Sequence, residues 1–319
     1  MRAAIALIIA AAWAGGLALA GGPSRVAFIR NNEICVTNED GSNLRQVTSD
    51  GKPKQMPKWS PDGTQIAYLT SGDMTANPKS RAKIEVITAD GKHVGTAPVL
   101  VTEADGTEVG GMRWVESIGW FDAQRVFADG SINPHVGEFR TIDIGTGKMG
   151  GFGEGGYSAC PSKGQVAFWA PTFPPDKRMR LEVNRADTDR FTFPDWDKLP
   201  DIHVPLLWNP DCRNVAFVDP RPPAALVLIG ADRGQRRVPL PDWPFEVAQL
   251  TLVHGNLLMR GASKALIYDF RQGTVAEAAQ ALLSQLDAQR AAREHLVREL
   301  EGSSPDWYSD PSSEPALDD

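Results

Sequence analysis

Pro57-Lys58-Trp59-Ser60-Pro61-Asp62-Gly63-Thr64-Gln65-Ile66-Ala67-Tyr68-Leu69-Thr70 reads as a strand ending at the Trp, a tight turn, and a second strand from Gln65. In that turn Pro presets φ, Asp offers a side-chain acceptor to the backbone, and Gly supplies a positive φ. Weaker copies stand at Trp208-Asn209-Pro210-Asp211-Cys212, Trp120-Phe121-Asp122-Ala123 and Cys160-Pro161-Ser162-Lys163-Gly164, with a degenerate one at Val253-His254-Gly255-Asn256. The strand after the turn recurs six times, as Val26-Ala27-Phe28, Ile66-Ala67-Tyr68, Val126-Phe127-Ala128, Val166-Ala167-Phe168, Val215-Ala216-Phe217 and Leu257-Leu258-Met259. Successive beats start 40, 60, 40, 49 and 42 residues apart. A period in the forties with β-branched and aromatic residues on each beat marks four-stranded propeller blades. The expected fold is all-β, a six-bladed β-propeller of four-stranded blades with one C-terminal α-helix.

A third strand and its turn repeat as well, for example Ile34-Cys35-Val36 to Asp40-Gly41 and Ile84-Glu85-Val86 to Asp90-Gly91. Apolar and polar residues alternate there, as in half-buried strands. These residues resemble the propeller repeat of the TolB family over roughly residues 26 to 273, most closely in the first two blades. The resemblance implies a periplasmic, six-bladed propeller that binds other proteins. The first blade begins soon after the N-terminus, so no counterpart of that family's N-terminal α/β domain is expected.

The ends carry their own signals. Residues 1–20 hold a single charge, Arg2, followed by an uncharged run ending Ala18-Leu19-Ala20, the pattern of a cleaved signal peptide. A membrane anchor is the competing explanation, but the run is largely Ala and is broken by Gly15-Gly16. Cleavage removes one positive charge and takes the formal net charge from −7 to −8. Such an acidic chain is a poor partner for nucleic acid, and after cleavage no stable membrane anchor is expected. The division is thus a signal peptide at 1–20, the propeller at 21–273, a helix at 274–301 and an acidic tail at 302–319.

Thr274-Val275-Ala276-Glu277 reads as a capping box and Gly302 as a stop. Val275, Ala279, Leu282, Leu286, Gln289, Arg293, Leu296 and Leu300 follow heptad spacing, so the helix either packs across its own propeller or joins another chain, a route to oligomerisation. The first blade lacks a first strand and the sixth lacks an evident outer strand after Gly273. Pro305-Asp306-Trp307 in the tail is the candidate closing segment, because it echoes Pro194-Asp195-Trp196 and Pro241-Asp242-Trp243; chance recurrence in a Trp- and Pro-rich chain competes with that reading. Of three cysteines, Cys160 and Cys212 fall at equivalent turns of neighbouring blades and are the favoured pair, against three buried thiols.

His93, His135, His203, His254 and His295 are scattered, and neither a metal-ligand spacing nor a nucleophile elbow or phosphate loop is present. No cofactor or metal site and no catalytic residue is assigned. The connections between second and third strands all emerge on one face, and four of six are long or Pro-rich. They carry Lys79, Arg81, Lys83, His135, Phe173, Lys177, Arg178 and Arg221, a locally basic rim suited to an acidic protein or peptide. The favoured reading is a periplasmic, non-catalytic protein-interaction module of the cell envelope. The alternatives are a metal-dependent polysaccharide lyase or hydrolase at the central channel and a structural subunit docked through the helix.

Overall fold

The computed structural model describes residues 24–70, 82–102, 108–111, 114–133, 136–152, 157–160, 163–171, 179–185, 189–193, 204–230, 234–244 and 248–308. They form six four-stranded antiparallel sheets, a small hairpin and one long helix. The first sheet holds β1 (Arg25–Arg30), β2 (Glu33–Asn38) and β3 (Arg45–Gln46), and the second β4 (Lys54–Trp59), β5 (Gln65–Thr70), β6 (Lys83–Thr88) and β7 (His93–Pro98). The hairpin is β8 (Leu100–Thr102) with β9 (Glu108–Gly111). The third sheet follows as β10 (Trp114–Trp120), β11 (Arg125–Asn133), β12 (Val136–Asp143) and β13 (Met149–Phe152), and the fourth as β14 (Tyr157–Cys160), β15 (Gln165–Pro171), β16 (Met179–Arg185) and β17 (Asp189–Phe193). The fifth comprises β18 (Leu207–Trp208), β19 (Asn214–Asp219), β20 (Ala225–Gly230) and β21 (Gln235–Pro239). The sixth comprises β22 (Gln249–Val253), β23 (Asn256–Arg260), β24 (Ala265–Asp269) and β25 (Thr274–Glu277), followed by α1 (Gln280–Glu299) and β26 (Ser303–Tyr308).

Within each of sheets two to six, strands lie side by side in chain order, so every neighbouring pair is a hairpin. The first sheet differs, with order β26-β1-β2-β3. Its missing first strand comes from the far end of the chain, 303–308, antiparallel to β1. The register shows what β26 is. Trp307 pairs with Val26 as Trp59 pairs with Ile66, Trp120 with Val126 and Trp208 with Val215. Pro305-Asp306-Trp307 is therefore the counterpart of Pro57-Lys58-Trp59, at the end of a first strand, and not of the two Pro-Asp-Trp segments that follow outer strands. Asp306 then reaches into the second sheet, where its Oδ2 accepts the Trp59 backbone N–H at 2.8 Å and its Oδ1 lies 3.1 Å from Lys58 Nζ.

The Val-Ala-Phe beat encodes the packing between sheets. Side chains alternate faces along a strand, so first and third beat residues face one neighbouring sheet and the second faces the other. Ala27 lies in one cluster with Trp59, Ile66 and Tyr68 of the second sheet. Ala67 packs with Trp120 and Val126 of the third, and Ala167 with Trp208, Val215 and Phe217 of the fifth. A methyl group at that point leaves room for the next sheet's indole. Where the next sheet has no Trp but Ala159, the small residue becomes Phe127, which fills the same space among Val166 and Phe168. Two indoles are also pinned by identical bonds: Trp120 Nε1 donates to Lys58 O at 3.0 Å and Trp208 Nε1 to Ser158 O at 2.9 Å, each one residue before the repeat's Trp position in the preceding sheet. Cys160 and Cys212 are disulfide-bonded within the cluster joining sheets four and five, and Cys35 is a buried free thiol.

Two expectations need correction. The helix starts at Gln280, not at 274 or 275, and ends at Glu299. Thr274 is no cap: it pairs with Asp269 across the turn at Gly273, and Val275 with Tyr268, forming the sixth sheet's outer strand that the sequence reading lacked. An outer strand with four ladder partners and a β-branched pair at its start outcompetes a capping box. The helix N-cap, Ala279, makes no side-chain cap bond. The 60-residue interval between the second and third beats contains the β8–β9 hairpin. No described helix is long and apolar enough to cross a membrane.

Candidate functional site

The antiparallel order gives the sheets two ends. Turns joining first to second strands lie at one end, here the turn end, and connections joining second to third strands at the other, the loop end. Of the basic rim assigned to the loop end, Lys79, Arg81, His135, Phe173, Lys177 and Arg178 lie outside the described residues. Lys83 is exposed at the start of β6, its carbonyl accepting from Thr70 Oγ1 at 3.2 Å. Arg221 is half-buried and held in place: its Nε and Nη2 donate to Asp219 at 2.8 and 2.9 Å, and Arg237 adds a third bond of 2.9 Å. Asp219 is 1% exposed. Burial pushes its carboxyl up, but the bonds from Arg221 and Arg237 more than offset this and hold it below the ordinary carboxylate value. One carboxylate facing two guanidinium groups leaves a surplus positive charge on the loop end of the fifth sheet.

A second fixed charge site stands between the first two sheets at the same end. Lys54, its side chain fully buried, donates to Glu33 Oε2 at 3.1 Å and to the carbonyls of Asn32 and Lys52 at 3.1 and 3.0 Å, and also pairs with Asp50. Burial raises the Glu33 carboxyl, yet bonds from Thr48, Gly51 and Lys54 bring it below its ordinary value. Every donor of the ammonium group is used, so this cluster ties the connection between sheets one and two and offers no binding capacity.

At the turn end, the first turns of sheets two, three and four enclose a cleft of about 530 Å³. Its walls are the repeat's own turn residues. Asp62 Oδ1 accepts from Ser60 Oγ at 2.6 Å and from the Thr64 N–H and hydroxyl at 3.0 and 2.8 Å. Asp122 accepts from Arg125 N and Nε at 2.8 and 2.7 Å, and the Arg125 guanidinium lies 4.6 Å over the Phe121 ring. Lys163 is exposed beside them. These groups missed selection in the sequence because they were read as turn formers; the recurrence of Asp at one turn position was the available signal.

A second cleft, of about 450 Å³, opens where the sixth sheet, α1 and β26 meet. Arg260 at the end of β23 makes two bonds to Asp287 of α1, at 2.8 and 2.9 Å, and Arg293 donates to Glu39 of the first sheet at 2.8 Å. The helix stripe is accounted for within the chain. Leu282, Leu283 and Leu286 pack on Val253, Leu258 and Ala278, and Leu300 packs on Val26, Phe28 and Cys35.

Three described histidines stand apart. His93 lies on β7 with its Nε2 3.1 Å from Glu85, His254 lies in the β22–β23 turn, and His295 lies on α1, 3.9 Å from Glu299. His135 and His203 lie outside the described residues. Among the described residues no cluster of His, Cys, Asp or Glu could hold a metal ion.

Comparison with known proteins places this architecture. No protein-family model matches the chain. Over 82 residues it is 32% identical to the Tol-Pal system protein TolB of Wigglesworthia glossinidia brevipalpis, a match spanning 24% of this chain and only 18% of that protein. The β-propeller domain of the trilobed protease from Pyrococcus furiosus, described as having an open velcro topology, covers 82% of this chain over 83% of its own length at 13% identity, with a TM-score of 0.50. Dipeptidyl peptidase 4 of Porphyromonas gingivalis covers 83% of this chain over 45% of its own length at 14% identity, with a TM-score of 0.52. At such identities the structural likeness is one of fold. The chain is thus similar to a TolB protein over one short stretch of its repeat, and to β-propeller domains in its arrangement of four-stranded sheets.

Proposed function

We propose that the protein is a non-catalytic interaction module of the cell envelope, exported by the leader at 1–20, whose six sheets close into a ring through β26 and bind an acidic protein partner at the loop end. The observation that carries this reading is the pinned pair Arg221 and Arg237 on buried Asp219. It is a rigid cationic anchor at the end where Lys83 is exposed, and it adjoins no group suited to chemistry. Preorganised guanidinium groups pair with carboxylates at little entropic cost, which is why Arg serves so often as an anchor in protein interfaces. The likeness to a Tol-Pal system protein supports the envelope setting, and the repeat supports the scaffold. The three described histidines, set on separate elements, weigh against the lyase alternative.

Affinity capture from envelope extract tests the reading. Charge reversal at Lys79, Arg81 and Lys83, combined with Arg237→Glu, is expected to abolish capture of the partner retained by the unaltered protein. Undiminished capture overturns the loop end as the binding surface.

A further inference from the structure

Five of the six junctions between successive sheets are sealed by apolar clusters that contain side chains of both partners. At the sixth, between the last sheet and the first, no single cluster among the described residues contains side chains of both. Beside buried Leu258 and Val253, the face that the last sheet turns toward the first carries Gln249, Thr251 and Arg260, and the residue matching Arg260 is buried Leu69 in the second sheet and buried Val218 in the fifth. Helix α1 fills only part of the gap, and the 450 Å³ that remains lies within the range of ligand sites, roughly 300–1,000 Å³.

The charges around this seam are unevenly engaged. Arg260 spends its fork on Asp287 and Arg293 on Glu39. Arg290, with its side chain 70% exposed, lies 3.6 Å from the Asp287 carboxylate that Arg260 already engages, so one carboxylate is shared between two guanidinium groups. Gln249, Thr251 and Gln289 are exposed on the same walls and can serve peptide amides. Two acids line the cleft: Asp287, shared by the two arginines, and Glu294, which opposes binding of an anion. Gln249 and Arg260 stand at the loop end of the sixth sheet, so the cleft opens toward the surface assigned above to an acidic partner.

We propose that the seam cleft is a peptide-binding subsite that receives an Asp or Glu side chain of the partner, with Arg290 as the pairing cation and Gln249 and Gln289 holding the adjoining main chain. The proposal deepens the reading of an acidic partner, and it is tested without that partner. Labelled protein is titrated with acetylated, amidated tri-glutamate and with the tri-glutamine analogue, while the side-chain N–H resonances of Arg290, Gln249 and Gln289 are followed. Tri-glutamate is expected to shift these signals saturably and to bind about fivefold or more tightly than tri-glutamine, the difference an exposed charge-assisted pair supports. Arg290→Gln is expected to erase that preference, Arg290→Lys to restore part of it, and Glu294→Gln to strengthen it. Equal binding of the two peptides, or an unchanged preference in Arg290→Gln, overturns the proposal. Loss of partner capture on loop-end reversal with no tri-glutamate preference at the seam sinks this subsite alone; the converse sinks the broader reading alone.

Discussion

The junction between sheets two and three and the junction between sheets six and one solve the same problem differently. In the first, Ala67 and Leu69 of one sheet meet Trp120, Val126 and Ala128 of the next, and an indole N–H bond to Lys58 fixes the fit. In the second, a helix stands between the sheets, held by Arg260–Asp287 on one side and Arg293–Glu39 on the other, with Val297 as its one buried residue. Tight junctions are built from a small residue opposite a large one, as close packing requires. The seam is built from half-exposed leucines and surface ion pairs, and that leaves it a cleft. The close-packed junctions and the cleft thus lie in different parts of the molecule.

The contrast can be broken at its strong side. Trp120→Ala empties a site that is 4% exposed and removes the bond to Lys58, so a loss of about 3–5 kcal/mol is expected. Leu286→Ala, half-buried on the helix, is expected to cost about 1–2 kcal/mol. Chemical denaturation of the two variants ranks the junctions, and equal losses refute the distinction.

A smaller effect sharpens it through pH. Asp129 occupies the position held by Leu69 in the second sheet and Val218 in the fifth, and burial, with Glu116 nearby, pushes its carboxyl from 3.8 up to about 6. Ionising it in the native state is therefore unfavourable. The penalty is absent below about pH 3.8, grows as pH rises to about 6, and is complete above that. Asp129→Asn is expected to raise the melting temperature at pH 7 and leave it nearly unchanged at pH 4. A melting temperature that does not rise at pH 7 contradicts this account.

The smallest effect belongs to the seam's ion pair. A double-mutant cycle of Arg260→Ala and Asp287→Ala is expected to give a coupling of roughly 0.2–1 kcal/mol, fading in 1 M salt, since both side chains are about 40% exposed. A coupling that salt leaves untouched indicates a buried contact instead.

The repeat made the scaffold legible because its information is local. Strand alternation, turn residues and the large-small-large beat each depend on neighbours within a few residues, and six copies reinforce one another. The exception at Phe127 is not local: it answers Ala159 of the next sheet, which lacks the indole. The helix start was misread for the same reason: Thr274 satisfies a capping pattern and a strand pattern equally well, and only the ladder to β24 decides between them. Gly302 reads locally only as a helix stop, yet a Cβ there would lie 2.4 Å from Phe28 on the strand that β26 joins. The candidate sites were less legible still. Arg221 reads as an exposed rim charge, whereas the fold holds it against buried Asp219, and neither Arg237 nor Arg290 stands out in the sequence from the chain's other cations.

What the sequence by itself determined is the number of sheets, the strand order within them and the faces they bury, because hydrophobic periodicity and turn chemistry act over short range. Only the tertiary structure decided how the ends meet. Trp307 takes its place opposite Val26 from 281 residues away, and the helix before it turns the last junction into a polar cleft. Such long-range pairings are set by which edge and which face remain uncovered once the local units have formed, and no stretch of sequence states that on its own.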